Sequence, residues 1–401
     1  MRPGFRPTTA VSLVYASTAF NWVAYALLAV TLPFRFQSLG LSVVQYGIAV
    51  AVLALGMLLT ESIWGVFAFR IGNARTILAL GIVVALLYLG IGVSDTFLTL
   101  TVSLGLLGAL FVFQVPLMRW IALTALGPGT GGRGTGVFGL FSGVGLVVGT
   151  ALGPFLFVEF GFRTLTFLIV ASYAVGVALT ILLPWRQVAL PPRQSGLLRQ
   201  VRAVFTRPFG LAVSLVVIAY LAKPLVWNFL QYYSVSLFHG TPSGAGYVIG
   251  AAQGTSLVAG ALLGTVVDRW GAGRSAPFGF VLLMLGALGT FVSSSYLEMV
   301  LASLVFATGV GWLSASLLPL ALNAVPLQLQ GTAVGVFGSF EDFGLLVGPI
   351  LISAAYTAYG AGSIFLVVGA VGLVGVVCSL LMHLLGRKEQ HPLDGGRFPQ
   401  S

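Results

Sequence analysis

The sequence predicts an all-α integral membrane protein with twelve transmembrane helices in two pseudo-symmetric six-helix bundles and both termini in the cytoplasm. Three observations carry that prediction. Hydrophobic residues make up 58% of the 401 and charged residues only 7%, with a mean hydropathy of +1.04, a balance no water-soluble chain of this length shows. Apolar runs of the ~20 residues a bilayer-crossing helix needs recur along the whole chain. A long pattern then returns after 199 residues, which marks an internal duplication.

The runs follow one another at 11–34, 43–67, 76–94, 97–123, 135–158 and 162–184, then at 209–237, 244–267, 275–294, 297–325, 332–357 and 361–385. The first is too long for the apolar core of a signal peptide and is read as a retained helix. A net charge of +10 would suggest nucleic acid in a soluble protein; here its distribution matters more. With the N-terminus inside, 15 of the 19 basic residues fall in the tails and cytoplasmic loops. Arg35 and Arg163 lie on the opposite side, and Arg119 and Lys223 lie within apolar runs. This asymmetry places both termini in the cytoplasm. The single cysteine, Cys378, excludes an intrachain disulfide.

GVFGLFSGVGLVVG at Gly136 to Gly149 and GVFGSFEDFGLLVG at Gly335 to Gly348 agree at 9 of 14 positions, and GVFAFRIGNAR at Gly65 to Arg75 maps onto GTVVDRWGAGR at Gly264 to Arg274 at the same offset. The chain is therefore expected to divide into a bundle over 1–184, a linker over 185–208, a second bundle over 209–385 and a cytoplasmic tail over 386–401. In the linker, Leu197, Leu198, Val201, Val204 and Phe205 share a helical face opposite Arg199 and Arg202, as in a helix lying on the inner membrane surface. Gly145, Gly149 and Gly153, and in the second copy Gly344 and Gly348, are spaced by four, which forms a ridge that lets another backbone come close.

These features resemble the major facilitator superfamily over nearly the whole chain, most similar to its twelve-helix drug and metabolite antiporters. Gly264, Asp268, Arg269, Gly271 and Arg274 fit the family's gating signature after the eighth helix. The first copy keeps Gly65, Arg70, Gly72 and Arg75 but has Phe69 where the family has Asp. FGFRTLTF at Phe160 to Phe167 is similar to the start of the family's sixth helix, and the fifth helix ends in Gly153-Pro154, as in its exporters. The resemblance implies a central cavity lined by the first, fourth, seventh and tenth helices. It assigns to that cavity Asn21, Trp22 and Tyr25 from the first helix and Gln114 and Arg119 from the fourth. The seventh contributes Tyr220, Lys223, Trp227 and Gln231, and the tenth Trp312, Ser316 and Asn323. Packing alone is the simpler reading of an aromatic stripe, but these stripes include polar atoms that lipid would penalise.

An ionisable group in the bilayer costs a few kcal/mol and needs a cavity or a partner. Glu341 and Asp342 lie ~15 Å along their helix, near the midplane, Lys223 ~20 Å along its own, and Glu61 and Arg119 ~5–10 Å above the inner surface at 1.5 Å rise per residue. Arg119 pairs either with Glu61 in its own half or across the halves with Glu341 or Asp342, and Lys223 is the other partner open to those two. Adjacent carboxylates can share a proton, so Glu341, Asp342 and Glu61 are the coupling candidates. No nucleotide-binding loop of the GxxxxGK[ST] type and no HExxH pair occurs, so the expectation is no enzyme, no metal and no cofactor. The expected protein is a monomer in the cell membrane that exchanges small amphipathic or apolar compounds for protons. An organic anion held by Lys223 and Arg119 is the alternative cargo, and a membrane sensor built on the same scaffold is the alternative of another class.

Overall fold

A computed structural model of the chain describes residues 7–71, 73–125, 131–183, 185, 197–238, 240–326 and 329–390, apart from some side chains within those ranges. The described elements are all helical. In order they are α1 (Pro7–Ser38), α2 (Val43–Ile71), α3 (Ala74–Val93), α4 (Phe97–Phe111), a 3-10 turn (Val112–Gln114), α5 (Val115–Ala125) and α6 (Gly131–Ile181). After the linker come α7 (Leu197–Val204), α8 (Arg207–Ala222), a π-helical turn (Leu225–Phe229), α9 (Leu230–Phe238), α10 (Pro242–Trp270), α11 (Ala272–Val292), α12 (Tyr296–Leu322), α13 (Gln330–Tyr359) and α14 (Ser363–Gln390). Among the described residues ten helices are long and apolar enough to cross a membrane. Leu59, Leu86, Leu98, Leu182, Leu262 and Leu297 are each at least 60% exposed, and side chains like them on every long helix form a surface fit for lipid rather than water.

The expected runs and the helices coincide closely, with three local departures that have covalent causes. The run at 97–123 passes through the 3-10 turn because Pro116 has no N–H, which leaves the Val112 carbonyl to the N–H of Val115. The run at 209–237 is interrupted at Lys223, because Pro224 cannot donate to the preceding turn, and the next bonds run five residues back, from Leu230 N to Leu225 O. The runs at 135–158 and 162–184 form one long element broken at Gly161, whose φ of 72° and ψ of 166° are not helical. Gly360, between α13 and α14, has φ 82° and stands 199 residues further on, so the two copies turn at the same place. A side chain at either position would be strained.

Small residues set the packing. A Cβ added to Gly145 would collide with Ala19 O, and one on Gly149 would stand 2.5 Å from Ala26 Cβ, so α1 lies directly on the first part of α6. The second copy does the same thing: Gly344 accepts Tyr220 and Gly348 accepts Leu221 and Pro224, so α8 lies on α13. Between the halves, α2 runs along α13 and α6 along α10. Gly47 abuts Ser353 and Pro349, Gly246 meets Pro154, and Gly250 meets Ala151. These contacts, the Tyr46 hydroxyl to Asn228 Oδ1 (3.2 Å) and the Tyr232 hydroxyl to Pro33 O (3.1 Å) close the halves together at the arginine-poor end. At the other end Asp268, Arg269 and Arg274 are exposed, and the principal contacts of α12 are with α8, α10, α11 and α13 of its own half.

Gly145→Leu should lower the melting temperature in detergent by several degrees, since forcing a side chain into a filled contact costs about 1–3 kcal/mol. Gly139→Ala, at a site with nothing within 4 Å, should leave it unchanged.

Candidate functional site

The most polar spot inside the second half is where α8 gives out. Lys223 caps that helix, its N–H reaching Ala219 O at 3.2 Å, and the following π turn frees it from ordinary helical neighbours. Its Nζ stands 4.1 Å from the centroid of the Tyr220 ring, a cation over an aromatic face that contributes about 0.5–2 kcal/mol depending on how dry the site is. The Tyr220 hydroxyl donates to Glu341 Oε1 at 2.5 Å. Tyr220 can reach that carboxylate because Gly344, one turn along α13, offers no side chain in its way. Lys223 interacts electrostatically with both Glu341 and Asp342.

Glu341 and Asp342 divide their attention. Adjacent helical residues point about 100° apart. Glu341 faces α8, bonded to Tyr220, whereas Asp342 is buried. Tyr220, Lys223 and Glu341 form the polar wall of a cavity of about 90 Å³, whose remaining lining is mostly apolar and comes from Leu283, Val310, Leu313, Leu317 and Phe337. Exposed Ser314 also lines it. Such a cavity has room for several waters or a small part of a ligand.

The remaining candidates fall in different places. In the first half Trp22, Tyr25 and Phe111 form an aromatic cluster with centroids 5.2–5.8 Å apart. Tyr25 also lines a cavity of about 20 Å³ with Asn228. Gln114, in the 3-10 turn, is buried with no hydrogen-bond partner on either amide atom. Gln231 is buried, and its Nε2 donates to Asn228 O at 3.3 Å. Glu61 lies across the halves from Gly338, where a Cβ would be 3.5 Å from its carboxylate oxygens. Three more of the expected residues line neither of these two cavities. Asn21 turns into the first half, donating to Ser17 Oγ at 3.4 Å and pressing on Gly176. Trp312 stacks on half-exposed Phe278 at 6.0 Å, and Asn323 is exposed where α12 ends. Ser316 is buried and returns its hydroxyl to Trp312 O. Gly72, the surroundings of Gly65 and the side chains of Arg70, Arg119 and Trp227 lie outside the described residues, while Arg75 is exposed.

Sequence reasoning passed over Asn228, Tyr46 and Asp95. Asn228 carries a signal, being an amide in an apolar run, but Tyr46 has none until its partner across the halves is known. Asp95 accepts Arg35 at 2.5 Å and lies 3.7 Å from Arg163, and the Arg35 guanidinium stands 5.3 Å from the Phe162 ring. This tie holds α1, the α3–α4 turn and the bend after Gly161 together.

Long apolar helices packed in two duplicated sets, with Lys223, Glu341 and Asp342 set among them, have the form of a membrane carrier. The model of the Major Facilitator Superfamily matches residues 14–236 and 212–399, and the chain belongs to that family. It is 26% identical over 373 residues to the multidrug resistance protein MdtG of Serratia proteamaculans (strain 568), covering 89% of each chain. It is 27% identical over 368 residues to MdtG of Dickeya zeae (strain Ech586), covering 86% of each. The riboflavin transporter RibZ of Clostridioides difficile (strain 630) is 29% identical over 121 residues, which is 28% of this chain and only 25% of RibZ. Among solved structures, the nucleoside transporter NupG superposes with a TM-score of 0.75 at 14% identity, covering 93% of this chain and 98% of NupG. The human organic anion transporter MFSD10 superposes with 0.71 at 15%, covering 94% and 100%. At such identities the structural matches speak for the fold.

Lys223→Met should destabilise the protein by about 1–3 kcal/mol, because it leaves half-buried Glu341 and buried Asp342 without their cation. Adding Glu341→Gln should recover a large part of that loss. Thermal unfolding of the two single variants and the double variant measures the coupling, and strictly additive effects would show that the two residues do not interact.

Proposed function

We propose that the chain is a secondary active transporter that exports small amphipathic or apolar compounds in exchange for protons. The observation that supports this reading best is a protonatable carboxylate, Glu341, in the wall of a mostly apolar cavity and bonded to the next helix through Tyr220. The MdtG relatives, matched over most of their length, favour the same cargo class. In this reading the halves 1–184 and 209–385 form six-helix bundles joined by the linker 185–208. Twelve spans follow when α6 is divided at Gly161 and α8 is joined through the π turn to α9. The arginine-rich face and the tail 386–401 lie in the cytoplasm of a monomer in the cell membrane, and the structure described is the inward-open state.

The chemistry follows from charge. An ionised Glu341 accepts from Tyr220 and attracts Lys223, which holds α13 to α8. Protonation removes the charge, and a hydrogen bond to a charged group is worth about 1.5–3 kcal/mol, so a tenfold or greater shift between conformations is available from this bond alone. Asp342, buried and next to Glu341 in sequence, is the second acid of the pair. When the cytoplasmic end closes, Gly264, Asp268, Arg269, Gly271 and Arg274 come against the first half as the latch, and Arg119 becomes the cross-half partner of Glu341 or Asp342, with Glu61 beside Gly338 as a further acid at the moving seam. A second reading is favoured by Lys223, a cation on the cavity wall, which suits an organic anion.

In vesicles with an imposed pH gradient, Glu341→Gln with Asp342→Asn should abolish uphill transport of labelled amphiphiles while exchange of labelled for unlabelled substrate continues at a third or more of the parent rate. Undiminished uphill transport would exclude the carboxylates as proton carriers. Lys223→Gln separates the two cargo classes: transport lost for anions alone supports the second reading.

A further inference from the structure

The linker helix α7 is held on one side only. Val204 is fully buried, the Thr206 hydroxyl donates to Ala324 O at 3.2 Å and accepts from Phe209 N at 3.3 Å, and the Phe205 ring sits edge-on to Phe209 (6.0 Å) and Phe340 (6.1 Å). These contacts fix α7 to the arginine-rich ends of α8, α12 and α13. The other side presents charge. Arg202 and Arg207 are exposed and make no ion pair among the described residues. Arg199 occupies the same helical register one turn earlier, although its side chain lies outside those residues. Two residues separate α7 from the start of α8, an apolar helix, so these arginines sit at the depth of lipid headgroups. Half-exposed Phe205 lies beside them, which suits an acyl boundary better than a protein or nucleic-acid surface.

We propose that this face binds anionic phospholipid headgroups of the inner leaflet, and that the bound lipid favours the cytoplasm-open state through the Phe205–Phe340 contact. The route is short. Phe340 precedes Glu341 on α13, so a lipid that anchors α7 also anchors the segment carrying the carboxylate bonded to Tyr220. A basic residue near an anionic leaflet contributes about 1 kcal/mol, or about fivefold in binding, so two or three arginines suffice to bias a conformational equilibrium. The inference takes from the proposed topology only that the arginine-rich face is cytoplasmic, and it does not need proton coupling.

The test uses the full chain with Cys378→Ser and Ser314→Cys, in nanodiscs of phosphatidylcholine with or without phosphatidylglycerol and with no pH gradient. Ser314 lines the cavity beside Lys223, so its alkylation rate by a water-soluble maleimide reports how open that cavity is. Alkylation should be at least threefold faster with phosphatidylglycerol, and the difference should shrink in high salt. Arg202→Gln with Arg207→Gln should abolish the difference, whereas Arg202→Lys with Arg207→Lys should keep it. Equal rates in both lipids, or an undiminished difference in the glutamine variant, would overturn the site. A full lipid response in Phe205→Ala would overturn the ring contact as its route.

Discussion

In lipid nothing hydrophobic draws one helix to another, because the acyl chains are as apolar as leucine; helices associate when their backbones come close enough for dense dispersion contact. That constraint explains why 53 of the residues are glycine and why those glycines sit where they do. Gly145 and Gly149 bring α1 onto α6, Gly344 and Gly348 bring α8 onto α13, and Gly246 and Gly250 let the halves meet at one end. The polar chemistry depends on the same approach. With a side chain at Gly344, Tyr220 could not sit against α13, and Glu341 would lose its donor from the neighbouring helix.

The buried charges then form a local balance. Lys223, Tyr220 and Glu341 contact one another across two helices, while Asp342 is buried on a different face of α13. This division follows from helix geometry, since two acids in sequence cannot share a face. The counterpart of this pair in the first copy is Ser142 and Gly143, with the Ser142 hydroxyl returned to Phe138 O and Gly143 against Leu257 of α10. In the first copy the scaffold stands without acids at that level.

Much of the fold is legible in the sequence, for a physical reason. Lipid demands long apolar runs, and a duplicated gene repeats its glycines, so helix positions and the matching turns at Gly161 and Gly360 follow from pattern. Lys223, Glu341 and Asp342 are legible too, because a charge in an apolar run is costly. Asn21, Trp312 and Asn323 are less so. Periodicity tells which residues share a face but not which neighbour that face meets, and Asn21 meets Gly176 of its own half. Asn323 lies past the helix end, where polar residues need no special reason. Tyr46 becomes meaningful only once Asn228 and Phe229 are seen opposite it.

The π turn at Leu225–Phe229 makes the two sides of the closure at the arginine-poor end unequal. Its counterpart in the first copy lies within α1, which continues unbroken from Pro7 to Ser38. One side of the closure is therefore a continuous post, with Pro33 near its end, and the other a jointed leaf, with Asn228 and Tyr232 carried beyond the joint. A π turn inside a helix is a local departure from the i→i+4 ladder, so the leaf has a bend point in its middle that the post lacks. The joint at Pro224 separates α9, whose Tyr232 reaches the first half at Pro33, from α8, which seats Tyr220 on Glu341.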